Sequence, residues 1–221
     1  MSEDVIYALF IAPLGGTPAL YTSMFGIGLV ALLVYSSTIM KEAITRLEVI
    51  GALLIVLGTL TIGSEGIFRP AVVLARMDVT GTVVALCMVL GLGGVCMACI
   101  SKRGTQNAIG LTFGLFAGAC GGLDPFLKAV GQSQGGANRA VPHTALGWTL
   151  FAGSFVVGFL AFLITQWGYV RRARASVLVP AYNCTYVGLP VVLQVLLLPG
   201  YGFYWTTAVG IGLIMLGIVL M

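Results

Sequence analysis

Charge is what this sequence has least of. Eleven Lys and Arg and seven Asp and Glu make up 8% of 221 residues, against roughly 25% in an average soluble domain. So few charges cannot cover the exterior of a folded domain of this length, so water is not its outer solvent. Histidine occurs once, at His143 after Pro142, where it reads as a solvated loop residue. No nucleophile with a base beside it and no phosphate-cradling glycine loop occurs, so no enzyme chemistry is expected. No run of Lys and Arg is interleaved with aromatics, which excludes nucleic acid as a partner. A basic leader is missing too: the chain opens Met1-Ser2-Glu3-Asp4, and a cleavable signal peptide is not expected. The five cysteines (Cys87, Cys96, Cys99, Cys120, Cys184) all lie inside apolar runs, where Cys behaves as a small hydrophobe, so no disulfide framework follows. Cys96 and Cys99 form a C-x-x-C without a second ligand pair, which does not amount to a metal or redox site. The expected metal is unknown, and no cofactor is expected.

What the sequence has is apolar length. Hydrophobic residues are 59% of the chain, in continuous runs of about twenty residues, the length of a lipid-crossing helix and not the ten-residue alternation of a membrane barrel. The fold class is all-α integral membrane, with about seven transmembrane helices. Candidate spans fall near Gly16–Met40, Leu47–Gly63, Val79–Ile100, Asn107–Gly131, Leu146–Tyr169, Ser176–Leu198 and Tyr201–Met221. Val5 to Met40 would make about 54 Å of helix, too long for a hydrocarbon core of about 30 Å. Pro13, Gly15, Gly16 and Pro18 divide it, leaving Val5–Ala12 as the end of an earlier helix.

Basic residues in the connections set the orientation. Lys41, Arg46, Lys102, Arg103, Arg171, Arg172 and Arg174 fall on one side, and Arg69, Arg76 and Arg139, with Lys128 nearby, on the other. The first side is expected to be cytoplasmic, with the C-terminus there and the N-terminus opposite. Gly51-Ala52-Leu53-Leu54-Ile55-Val56-Leu57-Gly58 matches Gly210-Ile211-Gly212-Leu213-Ile214-Met215-Leu216-Gly217 at both glycines and three apolar positions. If these are equivalent final helices, residues 1–63 are a remnant of a first repeat, 64–78 a linker, and 79–221 a complete five-helix second repeat. An odd number of helices per unit makes such repeats inverted, as is common in secondary transporters.

Several short motifs in order carry a family resemblance. Ala12-Pro13-Leu14-Gly15, Lys41-Glu42 and Gly51 to Gly58 are followed by Lys102-Arg103-Gly104-Thr105-Gln106-Asn107, Lys128, Thr165-Gln166, Tyr169, Arg172-Ala173, Val179-Pro180 and Tyr182. The chain resembles the drug/metabolite transporter superfamily (EamA-like), and within it the NIPA-like magnesium transporters. The resemblance covers nearly the whole chain as helices four to ten of a ten-helix inverted-repeat fold. It implies both ends of the full fold in the cytoplasm and transport of a small solute, with Mg²⁺ as the cation it names. Two departures stand out: the first three helices are nearly absent, and Leu198-Pro199-Gly200 replaces an acidic residue that often follows the ninth helix. The missing helices are expected ahead of Met1 or from another chain.

The residues that could carry chemistry are few. Asp124 and Lys128 are an i,i+4 pair inside or beside an apolar run, and charge within a membrane is a functional hypothesis by default. Two readings stay open. In one, Asp124 before Pro125 caps a short second helix segment near the outer interface; in the other, the pair is an outer gate or a cation-attracting group. Gly110, Gly114, Gly118 and Gly122 form a four-residue stripe that lets another helix backbone approach, or else lines a solute path. Gly121 and Gly122 could permit a helix break. Asn183, Tyr186, Pro190 and Gln194 share one helix face, which should look into the bundle, with Gln166, Thr165 and Ser154 set to face it; Tyr182 joins them through the resemblance. A Mg²⁺ site normally needs one or two carboxylates, and only Asp124 is near the membrane domain. The expected function is a transporter-like permease moving a small polar solute or cation by alternating access. The alternative is a non-transporting accessory subunit. Expected partners are the lipid bilayer and either other membrane subunits or a second copy.

Overall fold

The computed structural model describes residues 46–68, 78–134, 141–173 and 175–220. Their regular structure is helical: α1 Arg46–Phe68, α2 Val79–Arg103, α3 Gln106–Ser133, α4 Ala145–Val170, α5 Ala175–Leu197 and α6 Trp205–Leu220. Among the described residues there is no strand. Within α2 to α5, Val79–Lys102, Gln106–Ser133, Ala145–Val170 and Val177–Leu197 are long and apolar enough to cross a membrane; the apolar stretches Val49–Ile62 and Trp205–Leu220 are shorter. The chain is therefore an integral membrane protein. Six of the expected spans each fall on one of these helices, while Gly16–Met40 and Val5–Ala12 lie outside the described residues, as do Lys41, Arg69, Arg76, Arg139 and Arg174. Ser64 Oγ donates within α1 to the Thr61 carbonyl, and α1 runs on to Phe68, into the stretch expected as linker.

Local chemistry sets the helix ends. Thr105 and Thr144 are extended N-caps whose hydroxyls accept from the N–H groups of Ala108 and Gly147, at 3.3 and 2.9 Å, which pairs donors that no helical carbonyl can reach. At the end of α4, Arg172 takes a left-handed conformation with φ 63°. Its N–H donates to Tyr169 and that of Ala173 to Gly168, the closure that ends many helices on a left-handed residue. Gly200, at φ 85°, makes the equivalent reversal after α5 without a Cβ to obstruct it.

α3 is the centre of the bundle. It runs parallel to α5: the Gly114 face meets Leu178, Gly118 meets Tyr182, and Gly122 meets Tyr186 and Pro190. It runs antiparallel to α4, with Gly131 against Gly147, and Phe113 against Gly168. α2 lies on a third side, where Phe116 rests on Gly93. Phe113, Ala117, Cys120, Leu123, Phe126 and Leu127 are among the residues α3 contributes to the shared core. The outward faces are apolar as well: Leu92, Val95, Val156, Phe159 and Leu196 are all more than 60% exposed, which suits lipid and not water.

α1 and α6 form a second, antiparallel pair that joins α5 through Ile55, Ile62, Tyr186, Val187, Ile214 and Ile218. The two matched segments meet in this pair. A Cβ on Gly58 would stand 2.6 Å from the Gly210 carbonyl oxygen, and one on Gly217 would stand 2.5 Å from that of Gly51. Each glycine of one segment thus faces the opposite glycine of the other, an arrangement related to itself by a local two-fold axis across the helices.

Not every glycine serves close packing. Gly91 and Gly153 have nothing within 4 Å of where a Cβ would stand. Alanine at either position should add about 0.5–1 kcal/mol of helix stability. Thermal unfolding in detergent should show a raised midpoint for both, and a lowered one would mean that another surface rests there.

Candidate functional site

The centre of the site is an ion pair in the bundle interior. Lys128 Nζ donates to Asp124 Oδ2 at 2.9 Å and lies 2.8 Å from Oδ1, so the ammonium straddles the carboxylate. Lys128 is wholly buried and Asp124 nearly so. The pair faces α4: Asp124 Oδ2 stands 3.0 Å from where a Gly158 Cβ would be, and Lys128 Nζ lies 4.4 Å from the centroid of the Phe155 ring. Gly158 leaves room for the carboxylate, and the ring face adds a cation–π contact. Ser154, one turn before Gly158, is also buried, and its hydroxyl donates to the Phe151 carbonyl of its own helix.

Two expectations about this pair are corrected. Asp124 is not the cap of a second segment, because α3 is one helix from Gln106 to Ser133 with Pro125 inside it; nor is the helix broken at Gly121 and Gly122. Pro125 removes one helical hydrogen bond and presses its ring toward the Gly121 carbonyl. Packing from α2, α4 and α5 holds the helix through that position, as neighbouring helices do for proline in membrane spans. The depth differs too. Asp124 lies opposite Gly158, which stands midway along the 26-residue α4, so the pair is deep in the bundle and not at its outer edge. Counting from the start of α3 alone misplaces it, because α3 outlasts its neighbours.

Sequence reasoning missed Gln132. It is buried and continues the stripe Asp124, Lys128, Gln132 at four-residue steps. The spacing would have revealed it once the helix was taken through Pro125.

α5 supplies the other polar side chains. Tyr182 and Tyr186 stack with ring centroids 5.7 Å apart, and the Tyr182 hydroxyl comes 2.7 Å from the place of a Gly121 Cβ, one turn before Asp124. Asn183 is buried at 4% exposure, and Gln194 is fully buried. The parallel register that sets Gly118 against Tyr182 and Gly122 against Pro190 brings Gln194 level with Phe126 to Lys128. Gln166 does not join them. It is exposed near the end of α4, while Thr165 donates to its own helix at the Ala161 carbonyl. The glycine stripe is a contact surface for α5: Gly110, Gly114, Gly118 and Gly122 are buried, and Thr185 Oγ1 on α5 donates to the α3 carbonyl of Leu115 at 3.1 Å.

Among the described residues, no three His, Cys, Asp or Glu side chains come together as a metal-ligating group. His143 is exposed just before α4. Compared with protein-family models, with curated proteins and with solved structures, the chain matches none. Among the described residues, the bundle buries a carboxylate and an ammonium where α3 meets α4, and α5 carries two stacked phenols and a buried amide. Such groups can hold a polar molecule away from lipid.

Proposed function

We propose that this chain is a transporter-like permease, or part of one, that carries a small polar solute or cation by alternating access along the polar layer between α3, α4 and α5. The observation that carries this reading is the Asp124–Lys128 pair, all but enclosed by helices whose outer faces are apolar. Ionised groups at such depth are expensive and are characteristically retained along solute paths and gates. The resemblance to EamA-like and NIPA-like transporters points the same way, and Mg²⁺ is the cation that it names. In this proposal the reciprocal contact between Gly51–Gly58 and Gly210–Gly217 is the meeting of two inverted repeats, seven spans belong to a ten-helix plan, and the end with Lys102 and Arg171 is cytoplasmic.

Reconstituted protein should accelerate flux of a small polar solute or cation into liposomes. Asp124→Asn combined with Lys128→Met, which removes both charges and leaves neither unpaired, should lower that flux on the order of tenfold to a hundredfold, the worth of a charge-assisted hydrogen bond of about 1.5–3 kcal/mol. Wild-type flux retained in the double variant would remove the pair from the path, and no flux from the wild type would remove the permease.

α2 favours a second reading, a non-transporting subunit of a larger membrane complex. None of its most apolar eighteen residues is buried, and Gly91, Gly94 and three exposed cysteines lie along it. Cysteine-directed crosslinking at Cys87, Cys96 and Cys99 in native membranes should capture a neighbouring chain if this reading holds, and only lipid-accessible thiols if it does not.

A further inference from the structure

Among the described residues, Gln194 on α5 is a site residue whose side-chain amide is left open at both ends. It is fully buried, and neither its Nε2 nor its Oε1 meets a hydrogen-bond partner among the described residues. Burying an amide without partners is costly relative to leaving it in water, and native proteins rarely leave both ends of one unsatisfied. Asp124 and Lys128, at the same level of the bundle, differ in this respect: carboxylate and ammonium engage each other and present no net charge to a ligand.

We propose that Gln194 is the recognition contact for an uncharged solute that offers a hydrogen-bond donor and an acceptor side by side, a primary amide or a urea. This rests on the permease reading and narrows its solute class. A metal cation would engage Oε1 alone and face the positive end of the Nε2 dipole; a carboxylate would engage Nε2 alone. An amide engages both, its N–H donating to Oε1 and its carbonyl accepting from Nε2–H, so both orphan atoms are satisfied in one planar pair.

The test uses the full chain and acetamide as probe, with two readouts. Labelled-acetamide flux is measured in proteoliposomes beside Mg²⁺ flux and osmotic water flux, and saturation-transfer NMR in detergent reports acetamide binding without transport. Gln194→Leu keeps the volume and deletes both polar atoms. It should lower acetamide flux roughly tenfold, the loss of two hydrogen bonds, and abolish saturation transfer. Its unfolding midpoint should equal or exceed that of wild type, because it removes an unsatisfied buried group. A lowered midpoint in Gln194→Leu would mean that the amide is already paired, and the proposal falls. If Mg²⁺ crosses in an Asp124-dependent manner and acetamide neither binds nor crosses, the permease stands and the amide site is overturned. Water flux alone, insensitive to acetamide, overturns it as well. If acetamide binds through Gln194 but nothing crosses, the site stands and the permease reading falls.

Discussion

Lys128→Met should destabilise the protein by about 3–5 kcal/mol, among the largest effects of any single side-chain change in the bundle. Methionine fills much of the same space over Phe155, so the loss is electrostatic. It leaves the Asp124 carboxylate nearly buried without the ammonium that straddles it. The desolvation cost of that carboxylate is then no longer offset by the attraction of Lys128. Adding Asp124→Asn should recover most of the stability, because a buried pair replaced as a whole by neutral groups of similar volume is often neutral or better. Unfolding in mixed micelles for the two single variants and the double variant closes the cycle. Additive single effects would show that carboxylate and ammonium do not depend on each other. The result also separates stability from function: if the double variant is stable but transports nothing, the pair is kept for its role in moving solute and not for holding the helices together.

The depth of this pair shows where sequence reading reaches its limit. Composition alone required lipid as the outer solvent, and the described helices, with Leu92, Val95 and Val156 turned outward, agree. Helix positions followed from charge and proline, because each basic cluster must leave the membrane; Lys102 and Arg171 do lie where α2 and α4 finish. The four-residue spacing of Asp124 and Lys128 was enough to pair them. Pro125 misled, since a proline in isolation argues for a cap or a break, and only the helices packed around α3 show that it is carried through. The same ignorance of neighbours misplaced Gln166, whose polarity said that it needed a polar partner or an aqueous end but not which, and concealed Gln132 behind the supposed end of the helix. The glycine segments were legible as a match between two stretches of chain. That they touch each other is a fact about packing that no single-sequence pattern contains.

The second large effect is expected at Gly118, where the sequence pattern and the packing agree most closely. A Cβ there would collide with the backbone carbonyl of Tyr182 and with Thr185 Oγ1. Neither can yield cheaply: the carbonyl belongs to the α5 backbone, and Thr185 Oγ1 sits among the carbonyls of Ala181 and Tyr182 on its own helix and Leu115 across the interface. Gly118→Ala must therefore push α5 away from α3. Overpacking of this kind costs about 1–3 kcal/mol, and loss of the interhelical bond adds about 0.6 kcal/mol. Set against Gly91→Ala, which should gain about 0.5–1 kcal/mol from the same methyl group, the two variants should move the unfolding midpoint in opposite directions. If they move it equally, the stripe is not a contact surface. The consequence extends to the site, because Tyr182 carries its hydroxyl beside Gly121, and Gln194 is placed by the same helix. Shifting α5 by even part of an ångström should depress flux in Gly118→Ala beyond what its lost stability explains, whereas Gly91→Ala should leave flux unchanged. That difference would tie the close approach of α3 and α5 to the polar layer itself, and not merely to the survival of the fold.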